Sequence, residues 1–219
     1  MENNKTLYRQ VMDLILTARP GQPIYPVAIK ATLKLKTTKN ITKILNRVAK
    51  KPNNKYGLRK YKAGVYYSIH NKGEKYEGLD GEVRLKVIEH YKNTLLFDMK
   101  TGKRIGFECG HSYYNRIGLT TQVPRGSTIV TNKPGLDRTV NYTILSERSE
   151  RHVTDNNFKV LRLLYVIEHL NEVMSINEWW LEIIKKQISM LTEKEVMELS
   201  RLTAGLKNLN KEVLEILRR

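Results

Sequence analysis

A short segment between residues 37 and 50 carries the side chains of this sequence that are best suited to binding chemistry. Its cationic members recur every three or four positions and are Lys39, Lys43, Arg47 and Lys50. Its shorter polar members are Asn40, Thr42 and Asn46. Ammonium and guanidinium groups bind phosphate oxygens, and short amide or hydroxyl groups can hydrogen-bond to base edges. The segment therefore predicts a surface that recognises nucleic acid.

The same segment has the periodicity of an amphipathic helix. Its apolar residues follow the i, i+3, i+4, i+7 pattern and are Ile41, Ile44, Leu45 and Val48. At about 100° per residue, they lie opposite the cationic residues. Thr37 or Thr38 can cap the helix by accepting a backbone N–H. One face is predicted to be core and the other cationic.

Two elements precede this helix and a hairpin follows it. A first amphipathic helix spans Leu7 to Ala18, residues 23–25 form a possible edge strand, and Pro26 opens a second helix. Strands are predicted at 56–61 and 65–69, joined by Lys62-Ala63-Gly64. This order of elements, three helices followed by a hairpin, is typical of a winged helix-turn-helix, in which the hairpin is called the wing. Its residues Arg59, Lys60 and Lys62 would hold the DNA backbone. Two alternatives to DNA binding remain. The cationic face could simply be exposed to solvent, or it could bind RNA or an acidic protein surface.

The charge is concentrated at one end of the chain. Residues 1–75 hold 17 of the 39 Lys and Arg but only 3 of the 22 Asp and Glu, which accounts for +14 of the net charge of +17. A step of this size favours two domains, 1–75 and 76–219, joined by a glycine-containing connector at 70–81. The basic domain indicates a polyanionic partner, and we expect double-stranded DNA.

The second domain is predicted to mix helices and strands, which makes the whole fold class α+β. We expect a helix around Val83 to Tyr91, an extended stretch at 95–97, and strands entering at 102–107, at 127–131 and at 139–145. From about residue 156 to the end the pattern is helical, with capping boxes at Ser175 to Glu178 and at Thr192 to Glu195.

Residues 113–124 resemble a signature of the AbiEi family, the abortive-infection antitoxins of bacterial type IV toxin–antitoxin systems. Residues 118–124 read GLTTQVP, which is the distinctive part of the resemblance. The similarity extends over roughly residues 5–150. The matching positions in the basic domain are Tyr25, Leu45, Arg47, Val48, Gly57, Leu58, Arg59, Gly64, Val65, Tyr66 and Tyr67.

The resemblance implies a transcriptional repressor with a second task. In such antitoxins the winged helix represses its own operon by binding inverted repeats in the promoter. The other domain counteracts a nucleotidyltransferase-like toxin without a stable complex. In this chain, Thr120, Thr121 and Gln122 of the signature would contact a ligand or partner, or would only satisfy the backbone of a turn.

The sequence contains little that indicates an enzyme. It has no phosphate-binding glycine loop, no HExxH or CxxC pair and no nucleophile elbow. Glu108, Cys109 and His111 lie close together, as do His152 and Asp155, but neither group has the spacing of a metal site, so we expect no metal and no cofactor. The single cysteine excludes an internal disulfide and fits a cytoplasmic protein, and no segment is long and apolar enough to span a membrane.

Two other functions remain open at this point. A nucleic-acid-processing enzyme could use the basic domain to deliver its substrate, and a transcriptional regulator could act without any toxin partner. An inverted-repeat operator would accommodate two copies, so a dimer on DNA is possible.

Overall fold

The computed structural model describes residues 6–51, 53–70, 75, 78, 80–135, 139–206 and 210–218. The fold is α+β, as predicted, and the chain divides into two compact units, Met1–Glu89 and His90–Arg219. The charge step places a boundary at residue 75, whereas this division falls after Glu89, inside a helix that begins at Asp80. Of the connector predicted at 70–81, residues 71–74, 76, 77 and 79 lie outside the described residues.

Three helices open the first unit, each near its predicted position. They are α1 (Leu7–Thr17), α2 (Pro26–Thr32) and α3 (Lys39–Ala49). The Thr6 hydroxyl caps α1 by accepting the Arg9 N–H, and Pro26 occupies the start of α2, where its missing N–H costs no hydrogen bond. Before α3, the Thr37 hydroxyl accepts the Lys39 N–H at 3.0 Å.

A two-stranded antiparallel hairpin follows, formed by β1 (Leu58–Lys62) and β2 (Val65–Ser68). The register shifts by one residue between Lys60 and Lys62, next to the turn at Gly64, whose φ is 73°. On its other edge β2 bonds to Ile24: Ile24 N–H donates to Tyr66 O at 2.6 Å, and Tyr66 N–H donates to Ile24 O at 3.0 Å. The edge strand predicted at 23–25 is therefore confirmed as a single bridge.

One apolar core holds this unit together. Val11 and Ile15 of α1, Ile41 and Leu45 of α3, and Tyr66 of β2 are all almost completely buried in it. Burial of side chains of this size stabilises by about 1.5–3 kcal/mol each before the entropy cost of ordering them. The core faces predicted for α1 and α3 are confirmed.

The helix α4 (Asp80–Leu96) is longer than the sequence predicts. The extended stretch predicted at 95–97 is wrong for Leu95 and Leu96, which are helical. Partners from the neighbouring sheet satisfy the last carbonyls of the helix, because Thr131 Oγ1 donates to Leu95 O at 2.6 Å and Ile105 N–H donates to Leu96 O at 2.8 Å. Extended structure begins only at Phe97, which bridges to Arg104.

The second unit contains a four-stranded mixed sheet in the order β3-β4-β6-β5. Its strands are β3 (Gly106–Cys109), β4 (Ser127–Thr131), β5 (Thr139–Asn141) and β6 (Ile144–Arg148). The β4–β6 pair is parallel and the other pairs are antiparallel. The single strand predicted at 139–145 is wrong: a turn with Tyr142 at φ 58° splits it into β5 and β6.

Helices cover this sheet and fill the rest of the second unit. They are α5 (Gly110–Arg116), α6 (Phe158–Glu168), a short 3-10 helix (Leu170–Glu172), α7 (Trp180–Ser189), α8 (Glu193–Thr203) and α9 (Lys211–Arg218). Six of the eleven residues of α6 are buried, so this helix is central to the core of the second unit. The helical segment predicted from about 156 is confirmed for the described residues, while residues 207–209 and 219 of that segment lie outside them.

Only one of the two predicted capping boxes forms. Thr192 Oγ1 accepts the Glu195 N–H, and Glu195 Oε2 accepts the Thr192 N–H at 2.8 Å. The box predicted at Ser175 is wrong, because Ser175 has a φ of 52° and its carbonyl accepts the Thr120 hydroxyl at 3.2 Å. Asn177 serves the start of α7 instead, since its Oδ1 accepts the Trp179 N–H at 2.9 Å.

Candidate nucleic-acid interface

The helix α3 separates its core face from a cationic face. Ile41, Leu45 and Val48 are buried on one side. The cationic residues are all exposed and are Lys39, Lys43, Arg47 and Lys50, the last of which is the C-cap residue. Since α3 contains no Asp or Glu, this face bears charge of one sign only. Such a face raises the local concentration of polyanions and can neutralise phosphates directly.

The shorter polar residues of α3 differ in how the fold holds them. Asn40 is exposed, whereas Thr42 and Asn46 are half-buried at the margin of the cationic face. The Tyr66 hydroxyl of β2 donates to Asn46 Oδ1 at 3.0 Å. Tyr66 is fully buried, and this burial raises the pKa of its hydroxyl, which therefore stays protonated as a donor at neutral pH. The bond fixes the orientation of the Asn46 amide.

The hairpin exposes the cationic side chains that the sequence predicts for it. Arg59, Lys60 and Lys62 of β1 are exposed, while every residue of β2 is buried. The turn that joins the two strands includes Gly64, and a side chain added there would meet no atom within 4 Å, so the tip is open. β1 therefore presents its charges outward from a strand anchored in the core.

A recess beside the end of α3 extends the candidate interface. It has a volume of about 450 Å³, and its cationic and aromatic lining residues are Tyr8, Arg47, Lys51, Lys55 and Tyr56. The Arg47 guanidinium lies 5.7 Å from the Tyr8 ring centroid, and the Lys55 ammonium lies 5.1 Å from that of Tyr56. This combination suits a phosphate group next to an apolar sugar or base.

Sequence reasoning missed the recess for an identifiable reason. Residues 51–54 predict only a turn, and Lys55 follows directly after them. Tyr8 belongs to α1, about 40 residues earlier in the chain, so no local pattern connects it with these lysines. The side chain of Asn54 shapes this turn, because its Oδ1 accepts the Leu58 N–H at 2.9 Å and its Nδ2 donates to Lys51 O at 2.9 Å. The local signal for the recess in the sequence was the pair of lysines, Lys51 and Lys55, on either side of Asn54.

The signature residues of the second unit fall into two kinds. Thr120 is buried, its hydroxyl donates to Met174 O at 2.7 Å, and it accepts the Gln122 N–H at 3.2 Å. Thr120 therefore joins the exit of α5 to the segment before α7. Thr121 and Gln122 are exposed and form a surface next to this joint.

The candidate metal ligands do not assemble into a site in the described part of the chain. Glu108 lies 3.0 Å from Lys92 Nζ and 2.5 Å from Arg116 Nη1. Burial alone would raise the pKa of Glu108, but the hydrogen bonds from these two cations hold it below its usual range. Cys109 is buried and burial raises the pKa of its thiol, so it is an unreactive core residue.

The helices of the described residues are each too short or too polar to cross a membrane. No protein-family model matches the chain, and no curated protein matches it. Among solved structures, the chain is similar to the crystal structure of the RV2827C protein from Mycobacterium tuberculosis, with 11% sequence identity and a TM-score of 0.42. The similarity covers 98% of this chain and 76% of that chain. A likeness at this level assigns no function.

Proposed function

We propose that the first unit is a winged helix that binds double-stranded DNA sequence-specifically. The observation that carries the proposal is the one-sided charge of α3, whose exposed Lys and Arg lie opposite the buried Ile41, Leu45 and Val48. A helix of this kind enters the major groove with its outer face, and an adjacent hairpin contacts the flanking backbone. Three helices followed by a cationic hairpin supply both parts.

The proposed contacts divide into base reading and phosphate binding. The residues at the major groove are Lys39, Asn40, Thr42, Lys43, Asn46, Arg47 and Lys50. Arg59, Lys60 and Lys62 hold the backbone through the wing. Arginine and asparagine can each make paired hydrogen bonds to a purine, and each such pair discriminates by about 1–3 kcal/mol.

We further propose that the protein is a cytoplasmic repressor of its own operon and the antitoxin of a type IV system. The AbiEi-like signature at residues 113–124 supports this, with the exposed Thr121 and Gln122 as the candidate effector surface. The counterpart would be a nucleotidyltransferase-like toxin that forms no stable complex with it. Coexpression with such a gene from the neighbouring locus tests this part, because an antitoxin must restore growth.

The DNA-binding part is tested by the double variant Lys43→Ala, Arg47→Ala. Because both side chains project from the proposed groove face, we expect affinity for the protein's own upstream region to fall by about 1–3 kcal/mol per residue in a mobility-shift titration. Lys100→Ala, Lys103→Ala is the matched control, since it removes two exposed cations from the second unit. Unchanged binding by the first variant would show that α3 is not the recognition helix.

A further inference from the structure

Three arginines and three aromatic rings alternate in the second unit. Arg104 Cζ lies 4.7 Å from the Phe97 ring centroid and 3.9 Å from that of Phe158. Arg162 follows, with Cζ 5.6 Å from the Phe158 centroid and 4.4 Å from that of Tyr113. We call these residues, together with Arg116, the arginine ladder.

Arg116 completes the ladder at its exposed end. Its Cζ lies 5.1 Å from the Tyr113 centroid, and its side chain is 53% exposed. Neighbouring arginines therefore share a ring, so that three positive charges lie close together. Cation–π contacts hold such groups in place but do not neutralise them.

The carboxylates beside the ladder pair with its outer members. Glu108 binds Lys92 and Arg116, and Asp155 Oδ1 lies 3.6 Å from Arg104 Nε. Among the described residues, the ion pairs of the ladder are those of Arg116 with Glu108 and of Arg104 with Asp155. Neither pair includes Arg162. Four cations thus meet two carboxylates, which leaves an excess of positive charge.

Arg162 is the central and least compensated member. Its Nε is buried and has no hydrogen-bond partner among the described residues. Burial lowers the pKa of its guanidinium; the charges of Arg116 and Arg104 also lower this pKa, while Tyr113 and Glu108 raise it without offsetting the burial. A half-buried guanidinium whose Nε has no hydrogen-bond partner, and which lies between two like charges, destabilises a fold unless a bound anion compensates it. Packing alone does not require a guanidinium here, because an apolar side chain would fill the same place between two rings.

We propose that the arginine ladder is a binding site for a phosphate group. Guanidinium groups offer planar pairs of donors that match phosphate oxygens, and the ring contacts hold them in place before binding. The phosphate can come from a free phosphorylated compound or from a nucleic-acid backbone, since both present anionic phosphate oxygens that accept hydrogen bonds from guanidinium groups. The site lies in the second unit and does not depend on the DNA-binding assignment of the first.

The test is calorimetric titration of the full chain with inorganic pyrophosphate. We expect wild-type protein to bind pyrophosphate and Arg162→Met to lower this affinity by about tenfold or more. The variant loses hydrogen bonds from a charged guanidinium to phosphate, which are stronger than hydrogen bonds between neutral groups. The urea midpoint of Arg162→Met should not fall, since the change removes a half-buried charge with an unpartnered Nε from between two like charges. Arg201→Met, at an exposed position of α8, is the matched control and should bind as wild type does.

A second variant keeps the test decisive if Arg162→Met fails to fold. Arg116→Lys retains a charge for Glu108 but loses the planar pair of donors, so pyrophosphate affinity should fall several-fold while stability is kept. Absence of pyrophosphate binding by wild-type protein would overturn the proposal. So would pyrophosphate binding that folded Arg162→Met or Arg116→Lys leaves unchanged.

Two further titrations separate the sources of the phosphate. If Arg162→Met weakens binding of a DNA duplex as much as that of pyrophosphate, the phosphate belongs to nucleic acid. If only pyrophosphate binding falls, a free phosphorylated compound is the ligand. The proposed groove contacts are judged by the duplex affinity of Lys43→Ala, Arg47→Ala, and the ladder by the pyrophosphate affinity of Arg162→Met against its control Arg201→Met, so failure of one is distinguishable from failure of the other.

Discussion

At the scale of single residues, Tyr66 connects the core of the first unit to its proposed reading surface. Its ring is fully buried, its backbone bridges to Ile24, and its hydroxyl donates to Asn46 Oδ1. An asparagine held in this way presents its amide in one orientation before DNA arrives. Preorganisation of that kind improves discrimination more than general affinity.

Replacing Tyr66 with phenylalanine should therefore reduce specificity. We expect affinity for the upstream region to fall by about 1 kcal/mol, the net value of one hydrogen bond, while affinity for a scrambled duplex is unchanged. Competition mobility shifts with the two duplexes measure the ratio. Tyr61→Phe removes a hydroxyl from the adjacent strand and serves as the control. Equal losses on both duplexes would assign Tyr66 to stability alone.

At the scale of elements, the hairpin is attached to the core through a tight turn at Gly57. Gly57 has a φ of 55°, and a Cβ added there would meet the His70 ring and would lie 2.6 Å from Ile69 Cγ1. Gly64 at the hairpin tip has a φ of 73° but open space around it. The two glycines share a positive φ, which would be strained for any residue with a Cβ, and they differ in crowding.

Alanine at these two positions should separate strain from crowding. Gly64→Ala should lower the free energy of unfolding by about 1 kcal/mol, the cost of a left-handed backbone. Gly57→Ala should lower it by about 2–4 kcal/mol, since steric overlap adds to the same strain. Urea denaturation of both variants gives the values. Equal losses would mean that His70 and Ile69 move aside freely.

Elements whose determinants are local could be predicted, and those fixed by distant partners could not. The helix α3 was predicted with its capping region and both faces, because its periodicity is complete within a dozen residues. Ser175 and Thr192 have the same local pattern, yet the Ser175 backbone is engaged by Thr120 from another part of the chain. Tyr142 takes a positive φ without a glycine or proline signal, so β5 and β6 read as one strand.

The same difference between local and distant determinants explains which candidate sites the sequence could predict. The cationic residues of α3 and β1 are periodic and adjacent in sequence, so they were predicted together, and the structure exposes them on one unit. The recess of Tyr8 and Arg47 and the ladder of Arg104, Arg116 and Arg162 are assembled from separate helices and strands. Tertiary packing alone brings such residues together.

At the scale of the whole molecule, the asymmetry of charge predicts how salt affects binding. Residues 1–75 carry a net charge of +14, whereas the remainder carries +3. DNA that binds this end must release counterions, so affinity falls as salt rises. The slope of log affinity against log salt counts the phosphates that the protein neutralises.

The triple variant Arg59→Ala, Lys60→Ala, Lys62→Ala should lower that slope. If each wing residue neutralises one phosphate, the magnitude of the slope falls by about 0.9 for each phosphate that is no longer neutralised. Preference for the upstream region over a scrambled duplex should remain, because the wing is proposed to contact the backbone rather than the bases. Titrations at several salt concentrations measure both quantities. A reduced preference with an unchanged slope would assign base reading to the wing.

The bridge between Ile24 and Tyr66 has a further effect on how free molecules behave. It occupies the outer edge of β2 at Tyr66, whereas among the described residues no strand pairs with the outer edge of β1. Open strand edges invite strands of other molecules, and positively charged side chains along an edge oppose such addition. We therefore expect Arg59, Lys60 and Lys62 also to oppose edge-to-edge pairing of hairpins from separate copies.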